Sequence, residues 1–149
     1  MIYTIDTEVW VPRPLNEVFA FFSDAFNLEA LTPPRVNFHV MTPGPIDLKS
    51  GTLIDYKLCV NWIPLRWTTR IDVWNPPHEF SDSQLSGPYK LWHHTHRFTE
   101  SNGGTKMTDH VDYELPFGPL GDVVHELWVR RDVESIFKYR EKIIRERFS

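Results

Sequence analysis

Past Pro116-Phe117-Gly118-Pro119 the chain runs on with no strong breaker, and Leu120, Val124, Leu127, Val133, Ile136, Phe137, Arg140, Ile143 and Ile144 trace one helical stripe. That spacing predicts an amphipathic helix of about 25 residues reaching the C-terminus. A helix with so long an apolar stripe must bury it, so the segments before it have to provide a matching surface. Almost all of them read as strands.

Tyr3, Ile5, Thr7, Val9 and Val11 alternate with Asp6 and Glu8, the period-2 pattern of a half-buried strand that Pro12 and Pro14 end. Leu15, Val18, Phe19 and Phe22 then share a helical face, and a short second helix through Leu28 is expected before Thr32-Pro33-Pro34. Strand patterns follow at Val36-Phe38-Val40, at Ile54-Tyr56-Leu58-Val60 and at Trp67-Thr69-Ile71-Val73, with Asn61 to Leu65 as a hairpin connection. From Phe80 to Leu85 the inward parity carries Asp82 and Gln84, so that strand presents a polar inner face. Ser101-Asn102-Gly103-Gly104 is a turn signal joining the strand that ends at Phe98 to the one that spans Lys106 to Leu115. Strand, helices, six strands and a long helix imply an α+β fold: a curved seven-stranded antiparallel sheet around the terminal helix.

The 149 residues suit a single domain, 1–149, large enough to bury a core. A net charge of -4 with dispersed basic residues argues against nucleic acid as a partner. One cysteine, Cys59, excludes an intramolecular disulfide and fits a reducing compartment. Neither a signal peptide nor an apolar run long enough to span a bilayer is visible, so a cytoplasmic protein with no stable membrane insertion is expected. Oligomeric state stays open, a dimer included.

Gly87 to Phe98, GPYKLWHHTHRF, is the segment that speaks to function. Trp92, His94, His96 and Phe98 share one parity, and counting back from the SNGG turn sets Phe98 opposite Met107, His96 opposite Asp109, His94 opposite Val111 and Trp92 opposite Tyr113. Burying an imidazole with no partner costs roughly 1 to 3 kcal/mol. His96 and Asp109 are placed to satisfy one another; for His94 the candidates are Gln84, Asp82, Tyr56, a ligand or water. Six tryptophans and an aromatic share of 14% fill a thick core or line a pocket for apolar ligands.

Gly87-Pro88-Tyr89, Trp92-x-His94-x-His96-x-Phe98, Gly104-Thr105, Asp109-x-Val111-x-Tyr113 and Pro116-x-Gly118-x-Leu120-Gly121 together resemble the START-like (SRPBCC) superfamily. The branch resembled is the bacterial polyketide cyclase/dehydrase or coenzyme Q-binding-like one. The resemblance implies a helix-grip fold with a deep hydrophobic cavity. Thr42-Pro43-Gly44-Pro45 stands where the plant pathogenesis-related members carry a glycine-rich loop, so their hormone and nucleotide-related activities are not carried over.

The expected ligand is a hydrophobic or amphipathic small molecule such as a lipid, quinone or polyketide. Its expected contacts are Tyr56, Trp67, Gln84, Trp92, His94, His96, Phe98, Asp109 and Tyr113, with no cofactor and no metal. The alternative is polyketide cyclase/dehydrase-type catalysis with His96 and Asp109 as the acid–base pair. His94-x-His96 with Glu100 also has a spacing that suits Zn or Fe, but Glu100 falls at the turn. His39, His78, His93, His110 and His125 carry no functional expectation, and the Arg140 to Arg147 stretch reads as helix surface.

Overall fold

The computed structural model describes residues 1–60 and 62–149. Seven strands form one antiparallel sheet: β1 (Tyr3–Val11), β2 (His39–Val40), β3 (Leu53–Val60), β4 (Ile63–Asn75), β5 (Glu79–Ser86), β6 (Leu91–Ser101) and β7 (Gly104–Glu114). The spatial order is β1-β7-β6-β5-β4-β3-β2. Every strand after β2 pairs with its predecessor, and β1 closes against β7.

Helix α1 (Leu15–Phe22) buries Leu15, Val18, Phe19 and Phe22. The second helical segment runs beyond Leu28: a 3-10 turn over Ala25–Asn27, opened by the Asp24 carboxylate accepting from Phe26 N at 3.0 Å, leads into α2 (Leu28–Leu31). Thr32-Pro33-Pro34 stops it, because a residue before proline is driven out of the helical region. The strand expected from Val36 shrinks to His39–Val40, since Pro34–Val36 coils into a 3-10 turn and Asn37 takes φ 50°.

β4 begins earlier than expected. Val60 already pairs with Ile63, and Pro64 lies opposite Cys59 inside the ladder. Proline is tolerated there because β5 reaches only as far as Thr68, leaving that end of β4 with a free edge. Asn61, the first residue of the expected connection, lies outside the described residues. Two register shifts, at Thr68/Thr69 and Ile71/Val73, bend β4. The second reverses the inward phase, so Val73 is 42% exposed and Trp74 packs on the core instead.

The β6–β7 hairpin has the expected register throughout, from Trp92 opposite Tyr113 to Glu100 opposite Thr105. Asn102 (φ 49°) and Gly103 (φ 77°) make its two-residue turn, the conformation for which Asn-Gly is favoured.

The terminal helix runs continuously as α3 (Gly118–Val124), a π turn over His125–Val129 and α4 (Arg130–Arg147). In α4 the stripe is buried as expected through Val133, Phe137 and Ile144, and Arg140, expected on the helix surface with the residues up to Arg147, is buried with them because it pairs with Asp109. Before the π turn it is not: Leu120 is 66% and Leu127 57% exposed, while Gly121 and His125 face inward. Residues four apart drift about 40° round a regular helix. The wider π turn takes up that drift, so Gly121 and His125 share the inner side with Val133 and Phe137.

Candidate functional site

Sheet, α4 and the α1–α2 segment line a cavity of about 200 Å³. Its body is apolar, with Leu28, Leu31, Val36, Ile54, Leu58, Ile71, Val133, Ile136 and Phe137 among the walls. One wall is polar and carries Asp82, His94, His96 and Arg140.

The strands' period of two builds that wall. Even positions of β6 and odd positions of β7 point inward, which turns His94, His96 and Asp109 to one side. Asp82 enters from β5, opposite His94, and Arg140 comes from α4. His94 Nε2 lies 2.8 Å from Asp109 Oδ1, on the diagonal of the hairpin rather than straight across. His96, which does stand opposite Asp109, has Nδ1 3.3 Å from Asp109 Oδ1 and Nε2 3.2 Å from Asp82 Oδ2. Arg140 donates to Asp109 through Nε at 3.2 Å and Nη2 at 3.3 Å, and Thr7 Oγ1 donates to the same carboxylate at 3.2 Å. Thr69 Oγ1 lies 3.0 Å from Ser83 O and 3.4 Å from Asp82 Oδ1, and its one proton serves either acceptor. The two imidazoles stack with centroids 3.7 Å apart, and Phe80 stacks on the outer face of His96 at 4.1 Å.

Two carboxylates buried together need two cations. Arg140 is one. Burial alone would raise the Asp109 pKa, but the guanidinium and the two imidazoles outweigh it and hold the carboxyl well below its ordinary value. Asp82 is lowered too, with burial overcome by the His96 hydrogen bond and by the charge of both rings. His96 leans the same way, toward its charged form: burial disfavours the charge, yet contact with Asp109 and Asp82 raises its pKa. His94 goes the other way. Burial and then the neighbouring His96 charge push it down to about 4, against the pull of Asp109. Neutral His94 therefore keeps its proton on Nε2, toward Asp109, and leaves Nδ1 as a lone pair.

Of the residues expected at the site, Tyr56, Trp67, Trp92, His94 and His96 line the cavity. Asp109 sits behind the histidines and orients them. Phe98 packs within the core beside Phe19 and Phe22. Gln84 closes the β5–β6 connection, donating to Tyr89 O at 2.7 Å and accepting from Tyr89 N at 3.1 Å. Tyr113 is buried with its hydroxyl 2.6 Å from His125 Nε2, so His125 belongs to the interior as well. Glu100 is exposed at the hairpin end and joins no ligand set. Arg140 and Asp82 are the additions. The signals were Arg140's place in the apolar stripe of α4 and Asp82's inward parity in β5.

Asp82, His94 and His96 bring donor atoms within 4.8 Å of one another. A metal ion there would compete with the contacts His94 and His96 make to carboxylates and with the Arg140 cation, which lies 3.3 Å from His96.

A family model described as "Polyketide cyclase / dehydrase and lipid transport" matches residues 11–137. The chain belongs to that family. The helix-grip architecture of the START-like superfamily accompanies it. No curated protein matches the chain. Among solved structures, the Zhui aromatase/cyclase from a Streptomyces species is 16% identical with a TM-score of 0.75, over 97% of this chain and 92% of its own. A protein from Thermus thermophilus is 17% identical with a TM-score of 0.69, over 95% and 97% of the two chains. A Mycobacterium smegmatis protein is 19% identical with a TM-score of 0.66, over 95% and 90%. At such identities the shared property is the fold. Among the described residues no helix is long and apolar enough to cross a membrane.

Proposed function

We propose that residues 1–149 form one ligand-binding domain that takes up a hydrophobic or amphipathic small molecule, such as a lipid, quinone or polyketide, as a carrier or sensor. The observation that carries this reading is the joining of an apolar cavity of about 200 Å³ to a charged wall whose ions are already matched. Apolar walls with a few fixed polar groups are what small-molecule sites are made of. The family's description, which names both cyclisation and lipid transport, is compatible with it.

The His94–Asp109 contact at 2.8 Å favours a second reading, acid–base catalysis of the cyclase/dehydrase type. In that case His94 replaces His96 as the proton-handling ring, since His94 has the open nitrogen. A base held near 4 is poorly matched to proton transfer at neutral pH, where a value close to the working pH is most effective. Binding is therefore the leading reading.

Native mass spectrometry of freshly purified protein, together with titration of a solvatochromic apolar dye, tests it. Saturable one-to-one uptake of the dye, or a bound small-molecule mass, is expected. No saturable uptake of any apolar probe would overturn the cavity reading.

A further inference from the structure

The cavity wall selects by hydrogen-bond type as well as by apolarity. Asp109 is surrounded by donors from Thr7, His94 and Arg140, and Asp82 accepts from His96. Among the described residues the one buried side-chain nitrogen or oxygen with neither a partner nor solvent access is His125 Nδ1. His94 Nδ1, also without a partner, therefore opens onto the cavity that its ring lines. It points a lone pair into a mostly apolar space.

Tyr56 lines the same cavity. Burial first, then Asp82, pushes the phenol pKa up, so Tyr56 stays protonated and is a donor. The cavity thus offers the His94 lone pair as an acceptor, on a lining whose other polar groups include the Tyr56 hydroxyl as a donor. A ligand hydroxyl answers that lone pair by giving it a proton. A quinone carbonyl has no proton to give and leaves the His94 lone pair unanswered, and a carboxylate sets its oxygens against that lone pair.

A cavity of about 150 Å³ accepts benzene, so about 200 Å³ has room for one or two rings. Resting on the ligand-binding reading above, we propose that the cavity selects a neutral, hydroxyl-bearing aromatic molecule of one or two rings, with its O–H donated to His94 Nδ1, over the matching hydrocarbon, quinone or carboxylate.

The test compares 2-naphthol, naphthalene, 1,4-naphthoquinone and 2-naphthoate by calorimetry or dye displacement at neutral pH. 2-Naphthol is expected to bind roughly 10- to 100-fold more tightly than the other three, the penalty for an unanswered buried partner. In His94→Phe, checked for its fold by circular dichroism, naphthalene affinity should persist while the preference for 2-naphthol disappears. Equal binding of 2-naphthol and 1,4-naphthoquinone by the unaltered protein overturns the selection while leaving the cavity intact, and so does a preference that survives His94→Phe. Failure of all four probes, naphthalene included, counts against the cavity itself.

Discussion

Arg140 on α4 and Asp109 on β7 form a buried two-pronged ion pair, with Nε 3.2 Å from Oδ2 and Nη2 3.3 Å from Oδ1. It ties the terminal helix to the sheet. Arg140→Met would leave Asp109 short of its main counter-charge, and a broken buried pair costs about 3 to 5 kcal/mol. Arg140→Lys keeps the charge but not the planar fork and should lose less. Urea unfolding checks this; a loss under about 1 kcal/mol for Arg140→Met contradicts it.

The two histidines should titrate in opposite directions. His94 falls to about 4, below its unfolded value near 6.5. Between those limits the unfolded chain binds a proton that the native state refuses, so acidification through this window removes stability, on the order of 3 kcal/mol at most. His96 is raised. Its contribution is fully present below about 6.5 and fades as the pH climbs through its native value. Ring resonances followed by NMR should show His94 unprotonated at pH 6 and His96 still protonated above its ordinary midpoint. Two rings titrating together near 6.5 would refute the assignment.

Neighbouring glycines in the β6–β7 hairpin should differ sharply. A Cβ on Gly104 would sit 2.2 Å from Val11 O and 2.7 Å from the Trp10 ring, so β1 and β7 must part to admit it. Gly103→Ala meets nothing within 4 Å and bears only the strain of φ +77°, roughly 1 to 2 kcal/mol. Gly104→Ala is therefore the more destabilising of the two by denaturant midpoint; the reverse order would contradict the packing at Trp10.

Phe137 both lines the cavity and packs edge-on against His94, with centroids 5.7 Å apart. Phe137→Ala should cost about 3 to 5 kcal/mol and enlarge the cavity. Affinity for a three-ring probe relative to a two-ring one should rise in the variant, measured by dye displacement. An unchanged ratio would place the ligand elsewhere.

Much of this was legible because a hairpin turn fixes register. Asn102-Gly103 sets every pairing down β6 and β7, so the shared face of His94, His96 and Asp109 follows by counting. The partner within that face does not follow: side-chain reach along the diagonal gives Asp109 to His94 and sends His96 Nε2 to Asp82. Arg140 combines an apolar-stripe position with a residue type that is almost always exposed, so the two signals in the sequence point opposite ways. Val73 and Leu120 were assigned inward from an unbroken period. A bulge and a π turn, each changing phase, have no clear signature in residue type.

The π turn at His125–Val129 has a lasting effect on the helix that contains it. It uncouples the angular setting of the first turns from that of the last. Substitutions among Gly118 to Val124 can reshape the exterior at that end while Arg140 keeps its bearing on Asp109, so one rod carries two separately adjustable faces.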